Sequence, residues 1–242
     1  MSDQEASDRE RMLLEIGKKV AETRLMALRA QMNPHFIFNS LNSIQECIVH
    51  QKIDDAQRYL IQFSRLLRMV IDNSEQNTIP LDKEIEFLKL YLDLESLRFG
   101  KSFEYNIHIE DDLDTEEIQL PSLIVQPFVE NAIWHGLLHK KGQRLLNISF
   151  KLFQYDQIMI VVEDNGIGRK LASEIKADRL DVVNHESKGL KITMERIELV
   201  KLQTQFKPEI CVDDLFDDSG NATGTRITVK LPLDIDKVET KV

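Results

Sequence analysis

His35 stands in the run Gln31-Met32-Asn33-Pro34-His35-Phe36-Ile37-Phe38-Asn39-Ser40-Leu41-Asn42, which places an imidazole beside a proline inside a helical repeat. Pro34 has no N–H and crowds the carbonyl of Ala30, so it loosens or bends the helix just before His35 and lets a partner reach the ring. Asn39 shares the histidine's helical face and can hydrogen-bond the imidazole or hold a water beside it. Phe36 and Phe38 fall at outward positions, where an aromatic ring calls for a second surface to cover it. The stretch is a candidate reaction centre.

The second half holds four further candidates. Val129-Glu130-Asn131-Ala132-Ile133-Trp134-His135-Gly136 sets Asn131 and His135 one helical turn apart, with Glu130 beside them. An amide oxygen and a carboxylate are hard ligands that suit Mg2+, a cation that takes few protein groups and completes its shell with phosphate and water. Asp164, in Glu163-Asp164-Asn165-Gly166-Ile167-Gly168, ends a strand and can accept a hydrogen bond from an exocyclic amine. Gly166 and Gly168 would let a flat ring approach the backbone. Ser187-Lys188-Gly189-Leu190 opens a helix, where free N–H groups and the macrodipole favour a phosphate. Thr223-Gly224-Thr225 ends a loop before the last strand. Each motif alone reads equally as a cap, a turn or a loop end, so their weight lies in occurring together.

A long helix from about Glu10 to Val49 must carry His35. Leu13, Ile16, Val20, Thr23, Ala27 and Ala30 fall on a heptad seam, continued by Pro34, Ile37, Leu41, Ile44 and Ile48. Asp54 is the expected N-cap of a second helix whose apolar face runs from Ala56 through Tyr59, Leu60, Phe63, Leu66, Leu67 and Val70 to Ile71. One such hairpin cannot bury both seams, so a second copy completing a four-helix bundle is expected. Ser74 to Pro80 is polar and ends in proline, as a linker does.

Leu81, Ile85, Leu88, Leu92 and Glu95 mark another helix ending near Gly100, and Phe103 to Ile109 alternates as a strand. The acidic run Glu110 to Glu117 is a solvated loop, and Pro121 opens a helix through Leu138 bent at Pro127. Strands are expected at Leu146–Phe153, Ile158–Val162, Glu209–Val212 and Thr225–Leu233, the last two flanking a loop from Asp213 to Gly224. A helix begins near Gly189. This mixed order predicts an α+β fold with helices on one face of a mixed sheet.

The 242 residues leave room for one large or two modest domains. With 42% hydrophobic and 30% charged residues the composition is that of an ordinary soluble protein, and the net charge of −10 argues against nucleic acid and anionic membrane surfaces as partners. Cys47 and Cys211 give neither a C-x-x-C spacing nor a zinc framework and fit a reducing compartment. No apolar run approaches the ~18 residues of a membrane span, which predicts no direct membrane insertion. A heptad stripe that starts so near residue 1 reads as the continuation of an upstream element.

In order and spacing, the motifs from about Pro80 to Leu233 resemble the ATP-binding domain shared by histidine kinases, gyrase, a chaperone and mismatch-repair ATPases. Asn131 falls on the N box, Asp164 to Gly168 on the first glycine box, Gly189-Leu190 on the second and Thr223-Gly224-Thr225 on the third. With Asn33-Pro34-His35-Phe36-Ile37-Phe38-Asn39 upstream, the chain is similar to bacterial sensor histidine kinases with this phosphoacceptor box.

That resemblance implies residues 1–79 as a signalling helix and a dimerising phosphoacceptor hairpin, 80–236 as an α/β sandwich that binds ATP and Mg2+, and 237–242 as a polar tail. It implies that Asn131 holds Mg2+, Asp164 reads the adenine amine and residues 169–188 form a lid. His35 would accept the γ-phosphoryl group and pass it to the receiver domain of a response regulator. His135, Gly166, Gly168, Lys188, Gly189, Leu190, Thr223, Gly224 and Thr225 would line the nucleotide. The chain would work in the cytoplasm, alone or as the cytoplasmic part of an inner-membrane sensor.

Three departures qualify the match. Phe36 stands where many such kinases carry an acid, which leaves the base open, with Glu130 a candidate. Trp134 replaces a phosphate-contacting lysine of the N box, for which His135, Lys140 and Lys188 are the alternatives. Ser187 stands where the second glycine box begins. A kinase-inactive nucleotide-binding regulator, acting as phosphatase or dimeric scaffold, is the competing reading; an ATPase clamp would have no use for His35.

Overall fold

A computed structural model describes residues 34–74, 76–177, 193–194, 197–198 and 206–233. Its order is α1 (Pro34–Val49), α2 (Ile53–Ser74), β1 (Thr78–Pro80), α3 (Leu81–Phe99), β2 (Phe103–Ile109), β3 (Gln119–Pro121), α4 (Gln126–Asn131), β4 (Arg144–Phe153), β5 (Gln157–Asp164), α5 (Arg169–Ala177), β6 (Glu209–Phe216) and β7 (Ala222–Pro232). The expected α+β class is what forms. The seam upstream of Pro34 and the tail 237–242 lie outside the described residues, and no described helix is long and apolar enough to cross a membrane.

The helical hairpin closes on Gln51, whose φ of 58° ends α1 in a left-handed turn. Gln51 N–H donates to Ile48 O at 3.0 Å and Lys52 N–H to Cys47 O at 2.8 Å, the pair of reversed bonds that satisfies the last carbonyls of a helix. Asp54 was the expected cap of α2, but the helix already starts at Ile53 and Asp54 sits in its first turn, where a carboxylate suits the dipole.

The heptad seam divides between two faces. Ile44 is buried, while Leu41 and Ile48 are 49% and 53% exposed. Phe36, expected to face outward, is 2% exposed: its ring lies 6.2 Å from Phe63 of α2 and 4.8 Å from Tyr91 of α3. The reason is that α1 packs on two helices, so the buried stripe follows Phe36, Ser40 and Ile44 rather than the seam. Phe38 is 65% exposed, as expected.

The anticipated linker is partly a strand. Thr78–Pro80 pairs antiparallel with Gln119–Pro121, Ile79 opposite Leu120, which ties the hairpin's exit into the C-terminal half. Pro121 therefore ends a strand, and the expected helix through Leu138 starts only at Gln126, with Pro127 in its first turn. A proline that bends nothing there is at home, since its missing N–H would have no helical partner. The turn before α4 is held by Glu84 of α3, a fully buried carboxylate that accepts the N–H groups of Leu123 at 3.0 Å and Val125 at 2.9 Å.

The main sheet runs β2-β4-β5-β7-β6, with β2 parallel to β4 and the other pairs antiparallel. Alternate residues point inward: Phe150, Ile160 and Val229 share one row, and Leu146, Asp164 and Thr225 share another. That inward face joins one core with α3, which is buried on several sides because it lies between hairpin and sheet. The expected loop from Asp213 to Gly224 shrinks to residues 217–221, since the β6–β7 ladder continues through a bulge at Leu215/Phe216. Asp217 fastens that turn by accepting the N–H groups of Ser219 at 2.9 Å and Asn221 at 2.8 Å. Of the helix expected from Gly189, Thr193 and Ile197 are described, helical and buried.

Candidate functional site

Asp164 is the last residue of β5 and, by the strand's period of two, points to the buried face, leaving it 4% exposed. Gly166 N–H donates to its Oδ1 at 2.7 Å. Burial pushes the carboxyl up to about 6, against the lowering effect of the Gly166 and Thr225 amides and of the Lys140 ammonium nearby.

Three separate segments come against this one residue. A Cβ on Gly136 or on Gly166 would sit 2.5 Å from Asp164 Oδ1, and one on Gly224 would sit 1.9 Å from the Asp164 carbonyl oxygen. No side chain fits at these places, so the carboxylate lies among bare backbone. Ile167 N–H donates to Gly136 O at 3.2 Å and joins the two loops. Gly168 follows at φ 77°, and Thr223, Gly224 and Thr225 lie in β7, with Thr225 paired to Asp164. This shape and donor set fit a planar heterocycle with an exocyclic amine.

Asn131, half-buried, ends α4, and Ala132–Leu137 continues as a π-helical turn in which Leu138 N–H reaches Ile133 O at 2.8 Å. The turn brings Gly136 against Asp164. Asn131 and His135 are both partly exposed, so Asn131 fits a hard cation that takes one amide oxygen and draws its other ligands from phosphate and water. Among the described residues no group of three His, Cys, Asp or Glu side chains could hold a metal alone.

Glu130 accepts a hydrogen bond from Gln126 at 2.7 Å. Its carboxyl is pushed up to about 7, by burial first, with the Gln126 bond opposing and Glu95 adding. Trp134 is 9% exposed and turns toward α3, where the Arg98 guanidinium lies 4.3 Å from its ring centre. Its side chain is therefore committed to the contact with α3. Lys140 donates to Asn165 O beside Asp164, which makes it the best placed of the alternatives described.

His35 and Asn39 lie in α1, with Asn39 half-buried. Lys188, Gly189, Leu190 and most of the expected lid lie outside the described residues. Sequence reasoning missed Gly136 as part of the pocket and Asn165 as its brace; Asn165 Oδ1 accepts the Leu145 N–H at 2.9 Å. The Gly136 signal was available: a glycine ending a helical motif that already holds two polar candidates.

Residues 23–103 match the histidine kinase family model. Sensor protein LytS of Staphylococcus epidermidis is 34% identical over 169 residues, 70% of this chain and 27% of its own length. Sensor histidine kinase/phosphatase LytS of Staphylococcus aureus is 33% identical over 161 residues, 64% of this chain and again 27% of its own length. The chain thus spans 27% of the curated relatives it matches. The solved histidine kinase domain of the Erythrobacter litoralis EL346 blue-light activated kinase is 15% identical with a TM-score of 0.47, over 89% of this chain and 96% of its own. The family model and the two LytS relatives support a sensor histidine kinase family.

Proposed function

We propose that this chain is the kinase portion of a two-component sensor, which transfers the γ-phosphoryl group of ATP to His35 and then to an aspartate on the receiver domain of a response regulator. The carrying observation is the buried Asp164 carboxylate walled by Gly136, Gly166 and Gly224. In this reading residues 80–236 bind ATP: Asp164 accepts the adenine amine, the glycine-lined backbone flanks the ring, and Asn131 would hold Mg2+. His135, Lys140, Lys188, Gly189, Leu190 and Thr223 attend the phosphates. The metal would neutralise charge on the transferring group. Glu130, held near neutrality by its surroundings, has the basicity a proton acceptor needs. Residues 1–79 supply His35 and pair with a second copy of the chain.

A second reading gains from Trp134, which is turned into the core instead of toward phosphate, and from the kinase/phosphatase name of a relative. In it the dominant activity is removal of phosphate from the regulator, with Asn39 holding the attacking water. Labelling with γ-labelled ATP separates the two. Acid-labile, base-stable label on the wild type that disappears in His35→Gln, with ATP affinity within about threefold, is expected of the kinase, since separate sites shift binding by no more than ~0.6 kcal/mol. Persistent label in that variant overturns the assignment, and an unlabelled wild type that binds ATP favours the second reading.

A further inference from the structure

Between hairpin and sheet lies a buried polar cluster for which nucleotide binding has no direct use. Tyr91 and Glu95 of α3 are each 1% exposed, and Glu95 pairs with Arg98 at 2.6 Å. The Arg98 guanidinium lies over the Trp134 ring and also, at 4.4 Å, over the Phe99 ring. The buried Tyr91 hydroxyl lies within electrostatic reach of Glu95, Glu130, Arg98 and Trp134. Tyr59 of α2 donates to Leu94 O at 3.3 Å beside the same ion pair, with Ser40 and Ser43 of α1 against its hydroxyl.

As mere packing this is a poor arrangement, because a buried ion pair is often no more stabilising than apolar residues of the same volume. What it supplies is direction. A planar guanidinium stacked on an indole fixes the ring's orientation in a way an aliphatic contact cannot. The indole it fixes sits in the π-helical turn, a form found as an insertion in α-helices at functional sites and able to pass to the α form by a shift of one residue. Gly136 is two positions beyond Trp134 and touches Asp164. On the opposite side, Tyr91 packs on Phe36, the neighbour of His35.

We propose that Arg98 and Tyr91 are positioning residues that, through Trp134 and the π-helical turn, join the seating of Phe36 on α3 to nucleotide binding at Asp164. This rests on the nucleotide-binding reading above. By linkage, nucleotide tightens the seating of α1 by the same factor that seated α1 tightens nucleotide.

Trp134 is the single tryptophan of the chain, so its emission reports on the joint. The full chain is titrated with ADP, followed by calorimetry and by Trp134 fluorescence, as wild type, Arg98→Met and Phe36→Ala. Both variants should weaken ADP by about five- to twentyfold, in the ordinary range of coupling between sites. Saturating ADP should slow amide exchange across residues 36–44 in the wild type but not in Arg98→Met, a loss that general destabilisation by the variant does not produce. If Phe36→Ala does not fold, Arg98→Met with amide exchange decides alone. ADP affinities within twofold of wild type in the folded variants, or ADP-dependent slowing that survives Arg98→Met, overturn the proposal while leaving the pocket intact. A wild type that binds no ADP overturns the nucleotide-binding reading and this proposal together.

Discussion

Asp164 is unfavourable for the fold and, in the proposed function, useful for the ligand. Its carboxyl is raised from an ordinary 3.8 to about 6, so the folded protein holds the proton more tightly than the unfolded chain does, a difference of roughly 3 kcal/mol. The associated stability is fully present below the unfolded value and is lost as pH rises through about 6. At pH 7 the ionised carboxylate therefore weighs against folding, and Asp164→Asn should raise Tm while weakening ATP and ADP at least tenfold; a lowered Tm, or unchanged affinity, would contradict this. In the wild type, nucleotide affinity should be flat above pH 6 and fall below it, as the acceptor becomes protonated. The aspartate-glycine pattern was legible in the sequence because a strand's alternation and a glycine's lack of Cβ are local properties. The inward turn of Trp134 was not, since the cation that holds it, Arg98, belongs to another helix, and neither was the burial of Phe36, which depends on Tyr91. Contacts of that kind leave no periodic trace.

At the scale of elements, periodicity located α3 and most of the strands, and it failed where an element is short or exists only through its partner. β1 and β3 have three residues each and are strands only because they pair with one another. The π-helical turn has no compositional signature, so Asn131 through Leu137 read as ordinary helix. Glu84 is the hidden support of the region: one side chain on α3 fixes the backbone that launches α4, and Leu123 within that backbone is held at φ 55° while buried. Glu84→Ala leaves two buried N–H groups without their acceptor and should cost about 3 kcal/mol. In a chain of this size that is a fall in Tm of roughly 6–12 °C. Because α4 carries Asn131, Mg2+-dependent nucleotide binding should weaken with it. A melting temperature within ~2 °C of wild type would show that the turn holds itself.

At the scale of the molecule, the hairpin has two apolar stripes, and among the described residues only one of them is covered. Ala56, Tyr59, Phe63, Leu66 and Val70 are buried by α1 and α3, whereas Phe38, Leu41, Ile48, Leu60 and Ile71 are between 49% and 65% exposed. Solitary exposed leucines need no explanation, but aligned apolar residues along two packed helices form a patch that water disfavours. The heptad spacing of Leu41 and Ile48 is that of a helix seam, and two hairpins joined through it make the expected four-helix bundle. The attachment of the hairpin to α3 through Phe36 uses the other stripe, so pairing need not disturb the Asp164 pocket. Light scattering should therefore show a dimer at micromolar concentration. A charge at Leu41 buries an ion only in the dimer, so Leu41→Glu should give a folded monomer with wild-type ADP affinity. The same substitution at Leu66, which is 0% exposed within a single chain, should unfold the hairpin at any concentration. A wild-type chain that remains monomeric, or a Leu41→Glu variant that still dimerises, would place the second copy, if one binds, on another face.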